Sequence, residues 1–475
     1  MNVSKIRFIE PGNKPYRWSI KNLFTYDEYI RTPSTGLLTL TTIIKNIIEN
    51  TLMYSESISK VLWDDVYTSD IVFIGIFTFN ANRGYEIAEQ IRKNSNAIIV
   101  MGGLHASLNY KEALQYSDYV LLSEGDESSI DFVNKTMSSE VYDFQGIAYK
   151  TENEIIPTGN RKPPENINII PDRILLYRYK KMVRYNTIWQ QIHASRGCPH
   201  DCDYCAVVKH FGRNVRKRSV DNIIDDIKQS MDFHDNRRIF PRLSKFIWFT
   251  DDNFFADRQW AISVLKGIIK SGIKYRFSVQ ARFEVGFDDE MLTLLKQAGF
   301  FEIAMGIEFL EDEAFENYNK RCTYNDLVKS IRNIQSHGLN VRGLFIVGAD
   351  NHKKGIGKKI SDFVQDNNIE GVLIQSMYFI PGTQVYDKYK TKLIHKDWSK
   401  YIGNVVHFPE SISPVDLQKE IVIALRNIYS GKQLIRKIRN GNIMNVYMFF
   451  GEFFWQKYVI RRLNKEIPHL QKSCG

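Results

Sequence analysis

Three of the five cysteines in this 475-residue chain stand close together: Cys198, Cys202 and Cys205, in the run Ser195-Arg196-Gly197-Cys198-Pro199-His200-Asp201-Cys202-Asp203-Tyr204-Cys205. Three thiolates in a short loop can face one metal centre while the backbone wraps it. Soft thiolates select iron–sulfur clusters or zinc. In a cubane, three cysteines leave one iron without a protein ligand, free to chelate a small molecule. Zinc is the competing reading, with His200 or His193 as fourth ligand. Structural zinc usually takes two separated pairs, and no second pair exists, since Cys322 and Cys474 stand alone.

Such a loop must be held by rigid elements. Ile188–Ser195, just before it, reads as a strand. Five more strand candidates follow, Phe246–Thr250, Tyr275–Gln280, Glu302–Ile307, Val341–Val347 and Gly371–Met377, with helices between them at Val220–Asp232, Arg258–Ser271, Asp289–Ala298, Asn325–His337 and Lys358–Asn367. Ser219 suits the N-cap of the first of these helices. Six strand–helix units predict a partial (β/α)6 barrel, whose active site lies at the C-terminal strand ends. Upstream, Ile6–Glu10, Met53–Ser55, Asp70–Phe79, Ala97–Met101 and Tyr119–Ser123 alternate with helices at Leu37–Asn50 and Gly84–Lys93. That α/β pattern predicts a doubly wound, Rossmann-like parallel sheet, which binds ligands outside the carboxyl ends of its strands. Gly102-Gly103 and Glu124-Gly125-Asp126 fall at those ends, and glycine lets backbone approach a ligand closely. The predicted organisation is a first domain over 1–140, a hairpin and linker over 141–187, the barrel over 188–400 and a helical C-terminal region over 401–475.

The composition, 43% hydrophobic and 25% charged, suits a globular chain of about three units. The net charge of +10 is a mild excess that solvated lysines can carry. Nucleic acid is not called for; an anionic membrane surface or a phosphate-bearing cofactor stays open. No apolar run is long enough to span a bilayer, the start MNVSKIRFIEP lacks a signal-peptide core, and the cysteine pattern is not that of a disulfide framework. The expectation is a cytoplasmic protein. In Asn445–Leu463 the aromatics Phe449, Phe450, Phe453, Phe454, Trp455 and Tyr458 accompany Arg461 and Arg462; they read as core packing, as a peripheral membrane contact or as the wall of an apolar pocket.

The CxxxCxxC loop resembles that of the radical S-adenosylmethionine (SAM) superfamily, and more than the cysteines agrees. Asp251-Asp252-Asn253-Phe254 follows the second barrel strand, Gln280 and Arg282 end the third, Gly306-Ile307-Glu308 resembles the GIE(S) motif after the fourth, and Pro381-Gly382-Thr383 follows the sixth. The resemblance covers roughly 188–386. It implies a [4Fe-4S] cluster on Cys198, Cys202 and Cys205 that cleaves SAM to a 5′-deoxyadenosyl radical, SAM contacts from Tyr204, Asp251, Asp252, Gln280, Arg282 and Glu308, and a reductant such as flavodoxin or ferredoxin. Two departures stand out: Thr-Asp-Asp-Asn where Gly-Gly-Glu is usual, and Phe309 in place of serine. Plainer readings stay open, with the aspartates capping the next turn, Glu308 pairing with a barrel arginine and Arg282 in an ordinary ion pair.

The first domain resembles the cobalamin-binding domain fused to many radical SAM proteins, through Gly102-Gly103-Leu104-His105-Ala106-Ser107 (GGxHxS) and Ser123-Glu124-Gly125-Asp126-Glu127 (GEGE-like). Thr78, Gly102, Gly103, His105, Ser107, Glu124 and Gly125 are the implied cobalamin contacts. The Asp-x-His-x-x-Gly signature of a histidine-ligated cobalt is absent, which makes His105 a loop-shaping residue before a ligand. In some such fusions the domain is only a scaffold. The implied reaction is methylation of an unactivated carbon of a small-molecule or lipid-like substrate. A radical cyclisation, oxidation or rearrangement without methyl transfer is the alternative. A tRNA methylthiotransferase would need further cysteines before residue 198, where none occurs, and a non-catalytic cluster or cobalamin sensor would leave the barrel motifs without a task.

Overall fold

The structure is a computed structural model, and it describes residues 2–12, 32–140, 143–180, 190–235, 246–395, 397–440 and 443–474. Ile188, the expected start of the first barrel strand, lies outside them, as does part of the expected 141–187 linker.

Seven strands form the first sheet: β1 (Lys5–Glu10), β2 (Asn50–Ser55), β3 (Ile71–Gly75), β4 (Ile98–Gly102), β5 (Tyr119–Leu121), β6 (Ile147–Lys150) and β7 (Ile155–Pro157), in the order β2-β1-β3-β4-β5-β6-β7. The first five are parallel, and β6–β7 is an antiparallel hairpin paired with β5. The hairpin thus extends the sheet. Side chains alternate between two cores. Phe8, Phe73, Val100 and Leu121 enter one, while Ile9, Ile74, Met101 and Val120 enter the other. Burial on both faces is why these strands read as unbroken apolar runs. The expected strand Asp70–Phe79 ends at Gly75; Thr78–Asn80 is a 3-10 turn leading into the helix Ala81–Asn94. Asn80 side-chain bonds to Phe77 N and the Pro11 carbonyl turn the chain off the sheet.

The second sheet holds six parallel strands in sequence order: β8 (Gln190–Ile192), then, after the short β9 (Ser195–Arg196) and β10 (Arg216–Lys217), β11 (Phe246–Phe249), β12 (Arg276–Ala281), β13 (Phe300–Glu308), β14 (Asn340–Val347) and β15 (Gly371–Ser376). The observed order β8-β11-β12-β13-β14-β15 with helices between is the partial (β/α)6 barrel. Ser219 caps its helix as expected, accepting from Asn222 N, and Asp257, Asp288 and Thr323 cap others by accepting from Trp260 N, Met291 N and Asp326 N. The second core of the first sheet runs on into the barrel interior.

After the barrel come helices Pro414–Ile428, Gly431–Asn440 and Ile443–Cys474. The last is tied to the barrel through buried Glu452, which takes Tyr429 Oη at 2.7 Å and pairs with Arg342; Arg342 also pairs with Glu302. Phe449 stacks on Tyr429, whereas Phe450 and Phe454 face outward. The aromatic stripe is therefore divided between core and surface, and none of its residues lines the main cavity. Among the described residues no helix is long and apolar enough to cross a membrane.

Candidate functional site

The C-terminal ends of both parallel sheets open into one cavity of about 880 Å³. The first sheet contributes Glu10, Gly75, Phe77, Gly102, Gly103, Ser123, Glu124 and Gly125; the barrel contributes His193, Tyr204, Cys205, Trp248, Asp252, Gln280, Gln375 and Tyr378. Each sheet thus presents its ligand-binding edge to the same space.

The cysteine loop leaves β9 through Gly197, whose φ is +93°; a Cβ there would lie 2.5 Å from the Asn214 carbonyl oxygen, so only glycine fits. Cys198 N donates to Gly212 O and Cys205 N to Cys202 O, which folds the loop on itself. The three cysteines are half-buried. Burial pushes the Cys205 thiol up to about 12 and raises Cys198; a bound metal would displace those protons. Arg282 Nη1 lies 3.8 Å from Cys202 Sγ and also pairs with Glu284. A cubane takes its thiolates at separate irons, and a loop of three soft donors fits that group.

The two aspartates after β11 differ in task. Asp251 is fully buried. Its carboxylate accepts from Ser195 Oγ at 2.5 Å and Ala194 N at 3.3 Å, and burial carries its pKa up to about 7. It braces the root of the cysteine loop rather than capping a turn. Asp252 reaches the cavity; burial raises it to about 6, and it accepts from Gly197 N at 3.4 Å. Tyr204 stands edge-on to Phe309, 6.1 Å between centroids. β13 bulges between Gly306 and Glu308, and Glu308 sits at φ +66°, a costly conformation for a non-glycine residue. Buried Lys320 holds the bulge, donating to Gly306 O at 2.6 Å and lying 3.6 Å from Glu308. Glu308 therefore faces a lysine, not a barrel arginine. Asp252, Gln280 and Tyr204 line the cavity, while Asp251, Arg282 and Glu308 do not.

On the opposite wall Gly102 and Gly103 present bare backbone. Gly103 has φ +90°, and a Cβ would lie 2.7 Å from the Ile76 carbonyl oxygen. Thr78, His105 and Ser107 lie behind this edge, off the cavity wall. His105 is fully buried, with Nδ1 3.3 Å from Thr78 Oγ1, Nε2 3.7 Å from Glu112 and its ring edge-on to Trp398. Ser107 Oγ accepts from Ser123 N at 2.6 Å. Glu124 faces the barrel. It takes Arg196 Nη1 at 2.7 Å and Arg216 Nη2 at 2.5 Å, and Asp126 takes Arg196 at 2.8 Å.

Sequence reasoning missed several wall residues. Glu10 Oε2, His193 Nε2, His210 Nδ1 and Trp248 Nε1 are buried on the cavity wall without a hydrogen-bond partner among the described residues. Buried polar groups are nearly always paired, so this wall is built for a ligand rich in donors and acceptors. Cobalamin with its rim of amides, and SAM, fit that requirement. The position of Glu10 was readable, at the end of the first strand on the same edge as the glycines; its burial, which raises its pKa to about 7, was not. The sequence offers His193 only as a zinc ligand. Burial and the nearby arginines 196, 218 and 216 hold it neutral, its pKa brought down to about 3.

Residues 192–355 match the Radical SAM superfamily. Over 406 residues the chain is 23% identical to bacteriochlorophyllide d C-12(1)-methyltransferase of Chlorobaculum tepidum, spanning 84% of this chain and 82% of that one. Among solved structures, the radical SAM methyltransferase TsrM from Kitasatospora setae with cobalamin and a [4Fe-4S] cluster bound superposes with a TM-score of 0.69 at 12% identity, covering 98% of this chain and 99% of that one. The cobalamin-dependent SAM radical enzyme OxsB with aqua-cobalamin and SAM bound gives 0.73 at 14% identity, covering 97% and 72%.

Proposed function

We propose that the chain is a radical SAM enzyme with a cobalamin-binding domain, and that it methylates an unactivated carbon of a small, apolar or lipid-like molecule. The observation that carries the reading is the single cavity shared by the two ligand-binding edges: methyl donor and hydrogen-abstracting centre have to meet one substrate, and only a shared chamber permits it. When bound, the cluster and SAM supply a radical that removes a substrate hydrogen, and cobalamin supplies the methyl group.

The chain's own residues position and shield these groups. Cys198, Cys202 and Cys205 would hold the cluster, with the Arg282 cation beside Cys202. Tyr204, Asp252 and Gln280, on the cavity wall, would hold SAM; Asp251 and Glu308 would act from behind by fixing the loop and the β13 bulge. Gly102, Gly103 and Gly125 offer backbone to cobalamin, with Glu10 and the cavity histidines meeting its polar rim, while Thr78, His105 and Ser107 shape the turn beneath. Substrate would lie against the apolar wall of Phe77, Phe79, Trp248, Ile346, Met377 and Ile380. Phe77 and Phe79 stack 5.8 Å apart and stay substantially exposed within the cavity. The division into domains over 1–140, 188–400 and 401–475 joined by 141–187, the cytoplasmic setting, and a flavodoxin or ferredoxin as reductant complete the proposal.

Counting the SAM products tests it. Methyl transfer yields S-adenosylhomocysteine together with 5′-deoxyadenosine, whereas cyclisation or rearrangement yields 5′-deoxyadenosine without S-adenosylhomocysteine and would replace this reading.

A further inference from the structure

The last two helices concentrate features that the cavity chemistry does not use. Residues 431–475 hold nine Lys or Arg and two Glu, so they carry most of the chain's net positive charge. Both glutamates are committed inward, Glu452 to Arg342 and Tyr429, and Glu466 to Lys400. The cations Lys432, Arg439, Lys457, Arg461 and Lys465 are exposed. Among them stand Ile435 and Ile438 on the helix Gly431–Asn440, 54% and 55% exposed, and Phe450 and Phe454 on the following helix, each 50% exposed. Apart from Phe287, no other large apolar side chain of the described residues is as exposed. The two helices pack against each other. Phe450, Phe454, Lys457, Arg461 and Lys465 recur at three- and four-residue spacing along one exposed stripe.

We propose that these two helices form a peripheral docking surface for an anionic phospholipid membrane. Half-exposed isoleucine and phenylalanine among lysines and arginines is the composition of a helix that lies in the headgroup region. The apolar groups enter the acyl boundary and the cations meet lipid phosphates. Nucleic acid would be served by the charge alone and gives the isoleucines nothing to do. The proposal is independent of the reaction in the cavity, so either can fail without the other.

The test is co-sedimentation of the full-length, cluster-reconstituted protein with vesicles of phosphatidylcholine, with and without phosphatidylglycerol. The expected result is binding to the anionic vesicles that falls as salt rises. Lys457→Glu/Arg461→Glu should weaken it by more than tenfold, since each cation near a membrane contributes about fivefold. Ile435→Asp/Ile438→Asp should abolish it while the cluster absorption stays unchanged, showing that the fold is intact. Equal binding to neutral and anionic vesicles, no binding at all, or variants that bind like the parent protein would overturn the proposal. So would a salt-resistant dimer that Ile435→Asp/Ile438→Asp converts to monomer without any vesicle binding by the parent, since a second copy would then be the occupant. Binding to duplex DNA but not to vesicles would overturn it as well.

Discussion

Arg196, two residues before the first cluster cysteine, bonds buried Glu124 of the first sheet at 2.7 Å, its own side chain only 12% exposed. This pair joins the cysteine loop to the glycine-bearing edge that faces it. The sequence places Glu124 among the cobalamin contacts, yet its carboxylate is occupied by Arg196 and Arg216, so in this structure its work is to fix the two halves of the chamber. Removing one partner of a buried ion pair costs about 3–5 kcal/mol because the other charge is left uncompensated. Arg196→Ala leaves Asp126 without its cation while Glu124 keeps Arg216, and is expected to lose about that much stability in denaturant titration. Glu124→Gln keeps the shape and leaves Asp126 for Arg196, but it takes the carboxylate from buried Arg216, so its loss should be of similar size.

His105 separates a structural role from a cofactor role. It is enclosed by Thr78, Glu112 and Trp398 and does not reach the cavity. His105→Ala should destabilise the protein by about 2–4 kcal/mol, as large-to-small core changes do, and leave the absorption spectrum of bound cobalamin unchanged. A shifted cobalamin spectrum would mean that the imidazole reaches cobalt.

Glu10 gives a pH signature. Burial raises its pKa from 4.5 to about 7 in the folded protein. Below the unfolded value it is neutral in both states and contributes nothing. As pH rises, the unfolded state ionises first, so stability falls between about pH 4.5 and 7 and the full penalty, about 3 kcal/mol, is present above that window. Glu10→Gln should therefore melt higher than the parent at pH 8 and no higher near pH 4. A variant that melts lower at pH 8 would show that the carboxylate is ionised and paired.

The strand and helix succession was legible because the strands are buried on both faces and the first barrel helix starts at a readable cap, Ser219. The cysteine loop was legible because its chemistry is local. What was not legible depends on long-range contact. Nothing around Asp251 announces that Ser195 and the Ala194 amide would claim its carboxylate, and nothing near Glu308 marks Lys320 as its partner. The run Asp70–Phe79 looked like one strand because Ile76 and Phe77 are as apolar as Ile74. Its end is set by the Asn80 side chain reaching Pro11, sixty-nine residues away. His105 matched a motif by position, and only the packing shows that it lies behind the glycine edge.

Metal and cofactor content measured side by side tests the central claim most directly. The protein is purified without oxygen in the presence of cobalamin, reconstituted with iron and sulfide, and compared with the Cys198→Ala/Cys202→Ala/Cys205→Ala variant. The expected result is about four irons per chain and a cobalamin band in the parent, with iron lost and cobalamin kept in the variant. Zinc in place of iron, or iron that survives removal of all three cysteines, would contradict the account.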